Sequence, residues 1–326
     1  MGKRIVFNGK GKIGFEKFDA GEPGDGKVLI KTACSLMSTG TENIVLNRLF
    51  DPGTGWDNWV KYPFYPGYAA VGVVKELGKD VKTLKKGDRI VCRSGHASEH
   101  CVAAEGCFGI PKGISDEEAA WFALAKIAAM GARSANYKLG ETLVVVGAGP
   151  IGQMTVGWAA AAGVGKIICV DPFAMRLKHA LKGGADFVIA KGITEAIPEI
   201  SKLTDGNMAD TVIDTTGHHM VFAECFKVAR KYGRIVILGD TGSPSKQCLS
   251  HDVMNKGLTI VAAHDCHETP DWDSKKIISL LFNLALKGRF SLKGMITHKF
   301  KAEEYQKAYD TANTKRNETI GILFKW

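Results

Sequence analysis

The feature that most constrains this chain of 326 residues is the stretch GAGPIG at residues 147–152. It follows the short apolar run TLVVV and precedes QMTVGWAAAAG, whose small and apolar residues are typical of a buried helix. In such a turn Gly147 permits a tight bend, Gly149 lets the backbone approach a pyrophosphate, and Gly152 lets helix and strand pack closely. The stretch therefore predicts a strand, a glycine turn and a helix whose N-terminus faces the phosphates of a dinucleotide.

An acidic residue strengthens this interpretation. Asp171 closes the next apolar run, KIICVD, where a carboxylate accepts hydrogen bonds from both ribose hydroxyls and repels a 2′-phosphate. NAD is therefore the expected cofactor, with Arg176 and Lys178 close enough in sequence to soften the preference over NADP. The alternative is a structural turn with no ligand. The residues expected to contact NAD are Gly147, Gly149, Pro150, Ile151, Gly152, Asp171, Arg176, Thr215, Thr216, Leu238, Gly239 and His264.

Six strand-like runs between residues 142 and 264 alternate with helical ones, which is typical of a doubly wound parallel sheet. One of the expected helices is VFAECFKVARKYG. The first 120 residues instead contain short strand patterns separated by Gly, Pro and Asp, with few helices indicated. The tail returns to helical patterns and ends in the strand-like IGILFKW. The sequence therefore predicts an α/β protein with a dinucleotide-binding domain over 123–264, inserted in a β-rich substrate domain formed by 1–122 and 265–326.

Composition restricts the class of protein further. The hydrophobic share of 45% and charged share of 24% are those of an ordinary soluble protein, and no apolar run approaches the length of a membrane span. The net charge is +9, but the lysines are spread singly or in pairs and mixed with acids, which favours a solvated surface over a nucleic-acid or membrane partner. The eight cysteines contain no C-x-x-C pair, which suits reduced thiols. We therefore expect a cytoplasmic protein.

Several stretches together resemble the medium-chain dehydrogenase/reductase superfamily, which is alcohol dehydrogenase-like. They are KVLIKTACSLMSTGTE, YPFYPGYAAVGVV, LKKGDRIV, ISDEEAAW, VVVGAGPIG and IVILG, and they cover nearly the whole chain. The resemblance implies a Rossmann domain inserted in a GroES-like domain, a small-molecule substrate, and a homodimer or homotetramer. The stretch STGTE at residues 38–42 resembles the corresponding stretch in one branch of the superfamily, which includes bacteriochlorophyllide dehydrogenase-like proteins and sugar or polyol oxidoreductases.

In zinc-dependent members of that superfamily, a Cys, a His-Glu pair and a third residue hold a catalytic zinc. The matching places here are Met37, Tyr68-Ala69 and Ala123, none of which offers the thiolate, imidazole or carboxylate that zinc takes. The resemblance therefore implies that the zinc has been replaced, and no metal is expected. Cys92, His96, His100 and Cys101 are spaced closely enough to form a rival metal site. However, SEHCVAA is predicted to be a strand, in which His100 and Cys101 point to opposite faces.

The reaction then needs another way to manage a proton. Thr39 matches the hydroxyl residue that members of the superfamily use to pass it, and Tyr68 with Lys126 is expected to replace the metal. An ammonium beside the phenol would lower the pKa of Tyr68. Glu42 and His96 are reserve proton carriers. The alternatives are that Tyr68 fills the volume of a lost metal site and that Lys126 extends to solvent from a helix.

The remaining histidines carry less information. The cluster His264-Asp265-Cys266-His267 is expected either to contact substrate or to be a polar loop at a domain junction. His218 and His219 are expected at the surface or the cofactor edge, and His179 in a helix.

The expected function is that of a zinc-independent, NAD-dependent oxidoreductase. It would move a hydride between nicotinamide and a secondary alcohol or ketone, in a polyol or sugar derivative. One alternative is a quinone or enone reductase, although such relatives usually prefer NADPH, which Asp171 disfavours. The other is a protein that binds a dinucleotide without catalysis.

Overall fold

The computed structural model describes residues 1–326, which form two compact units. The first unit comprises Met1–Ala123, Ile278–Leu286 and Leu292–Trp326, and the second comprises Leu124–Ile277 and Lys287–Ser291. The first boundary lies one residue from the expected 122/123. The second differs from 264/265, because residues 265–277 belong to the second unit, in which Lys126 binds Asp265 and Glu268.

The structure contains fifteen strands and eleven α-helices. The strands are β1 (Gly2–Gly9), β2 (Lys12–Phe18), β3 (Lys27–Leu36), β4 (Ala70–Leu77), β5 (Arg89–Cys92), β6 (Glu99–Ala103), β7 (Cys107–Gly109), β8 (Thr142–Val146), β9 (Lys166–Val170), β10 (Phe187–Ile189), β11 (Ala209–Asp214), β12 (Ala229–Ile237), β13 (Thr259–Ala262), β14 (Ile296–Lys301) and β15 (Gly321–Lys325). The helices are α1 (Thr39–Asn47), α2 (Gly55–Trp59), α3 (Asp116–Ala119), α4 (Phe122–Ala135), α5 (Pro150–Ala162), α6 (Ala174–Gly183), α7 (Ile193–Leu203), α8 (His219–Val228), α9 (His251–Lys256), α10 (Ser274–Leu286) and α11 (Tyr305–Thr314).

The second unit is built on a six-stranded parallel sheet in the order β10-β9-β8-β11-β12-β13. Its strands are rich in Val and Ile, and residues such as Val144, Ile168 and Val212 are fully buried, as in a sheet covered on both faces. The order reverses at β8, whose neighbours are β9 and β11. Ligands of such sheets bind at this reversal, outside the carboxyl ends of the strands, and the glycine turn follows β8. All five strand pairings in this sheet are parallel, which confirms the predicted parallel sheet.

One element of this unit differs from the prediction. The expected helix VFAECFKVARKYG ends at Val228, and residues 229–233 belong to β12 instead. Ala229 pairs with Ala209 of β11, and Tyr232 has a positive φ of 59° that interrupts any helix. Pairing with a neighbouring strand, which local propensity cannot reveal, therefore decides the end of α8.

The first unit contains a seven-stranded sheet, in which β14, β15, β3, β4, β5 and β7 follow in this order and β6 pairs with β3, and a separate β1–β2 hairpin. Strand β3 pairs antiparallel with β15, so residues far apart in sequence become neighbours. A buried apolar cluster that includes Phe7, Met37, Val45 and Phe324 packs here. Helix α1 was not predicted, because Thr and Gly in TGTENIVLN are poor helix formers; burial of Val45 overrides that propensity.

None of the helices combines the length and the apolar character needed to cross a lipid bilayer.

Candidate functional site

The glycine turn joins β8 to α5 in the second unit and is tight at both ends. Gly147 has φ +94°, and a Cβ there would approach Thr215 Oγ1 to 2.8 Å. A Cβ on Gly152 would lie 1.9 Å from the carbonyl oxygen of Gly147, so only glycine fits. Gly149 is different, because the nearest heavy atom to a Cβ built there is Arg176 Nη1 at 3.9 Å. The turn is thus closed at Gly147 by threonine side chains and at Gly152 by its own backbone, and it is open at Gly149.

Asp171 follows β9 and connects this strand to the turn. Its Oδ2 accepts a hydrogen bond from the backbone N–H of Ala148 at 2.8 Å, and its Oδ1 accepts one from Phe173 N–H at 2.8 Å. Arg176 Nη1 lies 3.7 Å from Oδ2. Each carboxylate oxygen retains a second lone pair with which it can accept a ribose hydroxyl. The sequence predicted the contact with ribose but not this second role in holding the turn.

The other predicted cofactor residues lie at the same edge of the sheet or near it. Thr215 Oγ1 donates to the carbonyl of Val146 at 2.9 Å, and Thr216 Oγ1 donates to Asp214 Oδ1 at 2.6 Å. The remaining positions follow β12 or β13 or begin α5, and they are Leu238, Gly239, His264, Pro150 and Ile151. Helix α5 has no side-chain cap at its N-terminus, so its first-turn N–H groups are available to an anion.

Lys126 is a buried ammonium in α4, with an exposure of 3%. Its Nζ donates to the carbonyl of Asp265 at 2.6 Å and pairs with Asp265 Oδ1 at 2.8 Å and Glu268 Oε1 at 2.7 Å. Burial raises the pKa of Glu268, but hydrogen bonds from Lys126 and Ser274 outweigh it, so that this pKa is lowered. Lys126 does not extend to solvent, as one alternative supposed. It fixes the segment 264–268 after β13 within its own unit.

Tyr68 lies in the first unit, before β4. Its hydroxyl donates to Ser38 Oγ at 2.5 Å, and the Arg93 guanidinium carbon lies 4.8 Å from the ring centroid. Burial raises the pKa of Tyr68, outweighing the opposite effects of the Ser38 and Thr41 hydroxyls and of Arg93. The expected lowering is therefore wrong in direction: desolvation dominates, and the nearby cation is Arg93. Thr39, the first residue of α1, directly follows Ser38.

The places that match zinc ligands carry no donors suited to the metal. Met37 is 1% exposed within an apolar cluster, and Ala69 and Ala123 are buried methyl groups. No group of three or more His, Cys, Asp or Glu side chains is arranged to hold a metal ion. The residues present at these places therefore do not fit the zinc that zinc-dependent members of the superfamily hold.

The rival set Cys92, His96, His100 and Cys101 is not brought together either. Strand β6 pairs His100 with Ile30 and Cys101 with Leu29 on β3, so the two side chains alternate between faces as expected. Burial raises the pKa of Cys92 to about 11 and lowers that of His100 to about 4. His96 has other partners.

Those partners form a buried network around Glu42, which is 2% exposed. The carboxylate of Glu42 accepts from Ser38 N–H at 2.7 Å, from His96 Nε2 at 3.1 Å and from Tyr309 Oη at 2.5 Å. On its other side, His96 Nδ1 lies 2.8 Å from Ser35 Oγ. Sequence reasoning named Glu42 and His96 but missed Ser35, Tyr309 and Trp326, since no local pattern connects them.

The three groups Ser35, His96 and Glu42 are of the types found in hydrolase triads. Ser35 is fully buried, however, and its oxygen also accepts from Trp326 Nε1 at 2.9 Å. No substrate can reach this serine, so the network serves the structure around Ser38 rather than nucleophilic catalysis.

The other histidines singled out in the sequence lie at the surface or inside helices. His218 and His219 stack at a centroid distance of 4.7 Å at the start of α8, and His179 lies in α6. In the exposed segment after β13, His264 Nδ1 lies 3.0 Å from Cys266 Sγ, and His264 N–H donates to His267 Nδ1 at 3.2 Å. These contacts describe a polar loop, and substrate contact there stays a prediction.

Two family models match the chain. Residues 24–123 match the alcohol dehydrogenase GroES-like domain, and residues 150–283 match the zinc-binding dehydrogenase model. D-guloside 3-dehydrogenase of Escherichia coli K12 is 30% identical over 278 residues, covering 80% of this chain and 78% of that protein. Sorbitol dehydrogenase of Mus musculus is 26% identical over 355 residues, covering 98% and 95%.

Two solved structures share the fold. A short chain alcohol dehydrogenase from Escherichia coli, complexed with NADH, has a TM-score of 0.81 at 20% identity, covering 100% of this chain and 99% of that one. A zinc-binding dehydrogenase from Sinorhizobium meliloti 1021, bound to NADP, has a TM-score of 0.82 at 20% identity, with the same coverage.

A GroES-like unit combined with a Rossmann unit that carries a glycine turn defines a class of two-domain dehydrogenases, which confirms the predicted fold class. The chain belongs to the medium-chain dehydrogenase/reductase superfamily, as the sequence motifs predicted. It is accordingly an oxidoreductase of alcohol-type substrates.

Proposed function

We propose that this protein is a zinc-independent, NAD-dependent dehydrogenase of a secondary alcohol in a polyol or sugar derivative. The observation that carries the proposal is the glycine turn closed at Gly147 and Gly152, open at Gly149, and tied to Asp171. The sugar and polyol substrates in the names of D-guloside 3-dehydrogenase and sorbitol dehydrogenase support the substrate class. A panel of polyols and sugar derivatives, with NADH formation followed by absorbance, tests it. Binding of NADH with no oxidation of any member would favour a non-catalytic dinucleotide protein instead.

The chain's own residues suit a nicotinamide dinucleotide. The backbone at Gly149 and the N-terminus of α5 would receive the pyrophosphate, and Asp171 would accept the ribose hydroxyls. When bound, the nicotinamide supplies the acceptor or donor of the hydride. NAD is favoured over NADP because a buried carboxylate opposes a 2′-phosphate, although Arg176 beside it supplies a compensating cation.

Proton management falls to the first unit. A raised pKa keeps the Tyr68 phenol neutral. In the reductive direction its Oη–H would turn from Ser38 Oγ to the carbonyl oxygen of the substrate and pass its proton to that oxygen, while the Ser38 hydroxyl would donate to Tyr68 Oη in its place. In the oxidative direction Tyr68 Oη must first lose its own proton, and it can then accept the hydroxyl proton of the alcohol substrate. Thr39 is the second hydroxyl residue that would pass the proton in this proposal. Glu42 binds the backbone N–H of Ser38, and His96 contacts the Glu42 carboxylate.

The purified protein is expected to contain less than one zinc per chain and to keep its dehydrogenase activity in a chelator. Met37, Tyr68, Ala69 and Ala123 supply no soft or borderline ligand set for the ion. Elemental analysis and activity after dialysis against chelator measure this. One tightly bound zinc per chain, with activity lost on its removal, would contradict zinc independence.

Substitution of Asp171 by Ser or Asn is expected to raise the ratio of kcat/KM with NADP to kcat/KM with NAD by about tenfold or more, since about 1.4 kcal/mol of lost repulsion corresponds to tenfold. Asn is the cleaner change, because its amide oxygen can retain one of the two backbone hydrogen bonds that Asp171 accepts. Asp186→Asn is a matched control, since Asp186 also caps a backbone N–H, that of Ile167, away from the turn. Equal efficiencies with both cofactors in the unmodified protein would exclude the role of Asp171.

A further inference from the structure

The hydroxyl of Tyr68 is coupled to the interior of the first unit through two further residues. It donates to Ser38 Oγ at 2.5 Å, while the backbone N–H of the same Ser38 donates to Glu42 Oε1 at 2.7 Å. The other oxygen of that carboxylate, Oε2, accepts from Tyr309 Oη at 2.5 Å. The position of Ser38, and with it the hydrogen bond of Tyr68, therefore depends on where the Glu42 carboxylate is fixed.

We propose that Tyr309 is a positioning residue for the dehydrogenase reaction, which it supports by fixing Glu42 and, through Ser38, the hydroxyl of Tyr68. This inference rests on the proposed function for its effect on turnover, but the coupling itself can be measured without a substrate. Tyr309 lies on α11, far from Tyr68 in sequence, and contacts neither cofactor residues nor Tyr68 directly in the hydrogen-bond network.

Tyr309 is held as a donor with one orientation. Its ring packs edge-on against Phe7 at a centroid distance of 5.2 Å and lies 6.0 Å from Phe324. Burial and the neighbouring Glu42 raise the pKa of Tyr309 well above its ordinary value, so the phenol remains neutral and donates. Removal of the Tyr309 hydroxyl alone would leave the ring in place. The buried Glu42 carboxylate would then lose one of its three hydrogen-bond partners.

The remaining side of the carboxylate is fixed by His96. His96 Nε2 lies 3.1 Å from Glu42 Oε2, and its Nδ1 lies 2.8 Å from Ser35 Oγ, which accepts a hydrogen bond from Trp326 Nε1 at 2.9 Å. The ring is confined, since a Cβ on Gly67 would come within 2.9 Å of it and Phe324 packs on it at 4.8 Å. With His96 immobile, Tyr309 is the partner whose removal lets Glu42 shift.

The test compares Tyr309→Phe with Tyr305→Phe in the full-length chain. Tyr305 is on the same helix and stacks on Phe15 at 5.6 Å, outside the network, so it is a matched control. With tyrosine labelled by carbon-13 at Cζ, the Tyr68 signal, assigned through Tyr68→Phe, is expected to move in Tyr309→Phe and to stay in Tyr305→Phe. With an oxidised polyol or sugar substrate, kcat of Tyr309→Phe is expected to fall about tenfold, with KM and the Kd of NADH nearly unchanged.

The outcomes separate the two proposals. An unmoved Tyr68 signal in folded Tyr309→Phe, or a kcat within about twofold of the unmodified enzyme, would overturn the positioning role while the proposed function stands. Absence of turnover in the unmodified protein would overturn the proposed function, and the Tyr68 signal would still decide the coupling. If Tyr309→Phe does not fold, Glu42→Gln replaces it, since an amide in place of the carboxylate must also move the Tyr68 signal if Glu42 transmits the coupling.

Discussion

Replacement of Gly149 by alanine is expected to leave the protein folded but to weaken NADH binding by about tenfold to a hundredfold. Gly149 has φ −69°, which alanine adopts without strain, and the nearest atom to its Cβ would be 3.9 Å away. The added methyl instead occupies space that a bound pyrophosphate needs, and overpacking of this kind costs about 1–3 kcal/mol. Fluorescence titration with NADH and thermal unfolding measure the two effects separately.

Two other glycines are controls for this prediction. Gly152→Ala would place a Cβ 1.9 Å from the carbonyl oxygen of Gly147, so this variant is expected to lose thermal stability before any effect on binding is considered. Gly183→Ala, at the end of α6, meets only Val156 at 3.6 Å and should change neither property. NADH bound by Gly149→Ala as tightly as by the unmodified protein would show that the turn does not receive the pyrophosphate.

Loss of the Tyr68 hydroxyl is expected to reduce kcat by about a hundredfold, the usual contribution of a general acid or base. In Tyr68→Phe the ring keeps its stacking with Arg93, so KM and NADH affinity should change little. Steady-state kinetics in both directions, with a direct NADH titration, make the comparison. A fall in kcat of less than about tenfold would mean that Tyr68 fills space rather than handling the proton.

Lys126→Met provides a contrast, because the structure changes what this variant should do. Lys126 binds Asp265 and Glu268, and methionine would leave both carboxylates without their cation. We expect reduced thermal stability and weaker NADH binding through movement of segment 264–268, rather than an isolated loss of kcat. An effect on kcat alone would restore the direct catalytic role that the sequence predicted for Lys126.

The Rossmann unit was predictable because its signals are local. The turn at residues 147–152 and Asp171 lie within one strand, helix and strand, where spacing along the chain corresponds to distance in space. What local signals could not supply was the second role of Asp171, whose carboxylate accepts from Ala148 N–H across the turn.

The site in the first unit was only partly predictable, since its partners come from distant segments. Glu42 and His96 were named as separate proton carriers, but their contact depends on the arrangement of α1 and the segment between β5 and β6. Tyr309 and Trp326 reach the network because β15 pairs with β3 and α11 packs beside them. A single sequence contains no periodicity that reports such long-range pairing.

The pairing of β3 with β15 also affects the order in which the chain can fold during synthesis. Nearly all of the second unit is the continuous segment Leu124–Ile277, which can fold as soon as it has been made. The first unit is interrupted by that segment. Strands β4 and β6 can pair with β3 early, but Ser35 and Leu36 at its end wait for Phe324 and Leu323. Until then the end of β3 at residues 34–36 is unpaired on one side, and Glu42 lacks Tyr309. The first unit can therefore be completed only after the C-terminal segment has been made, later than the second unit.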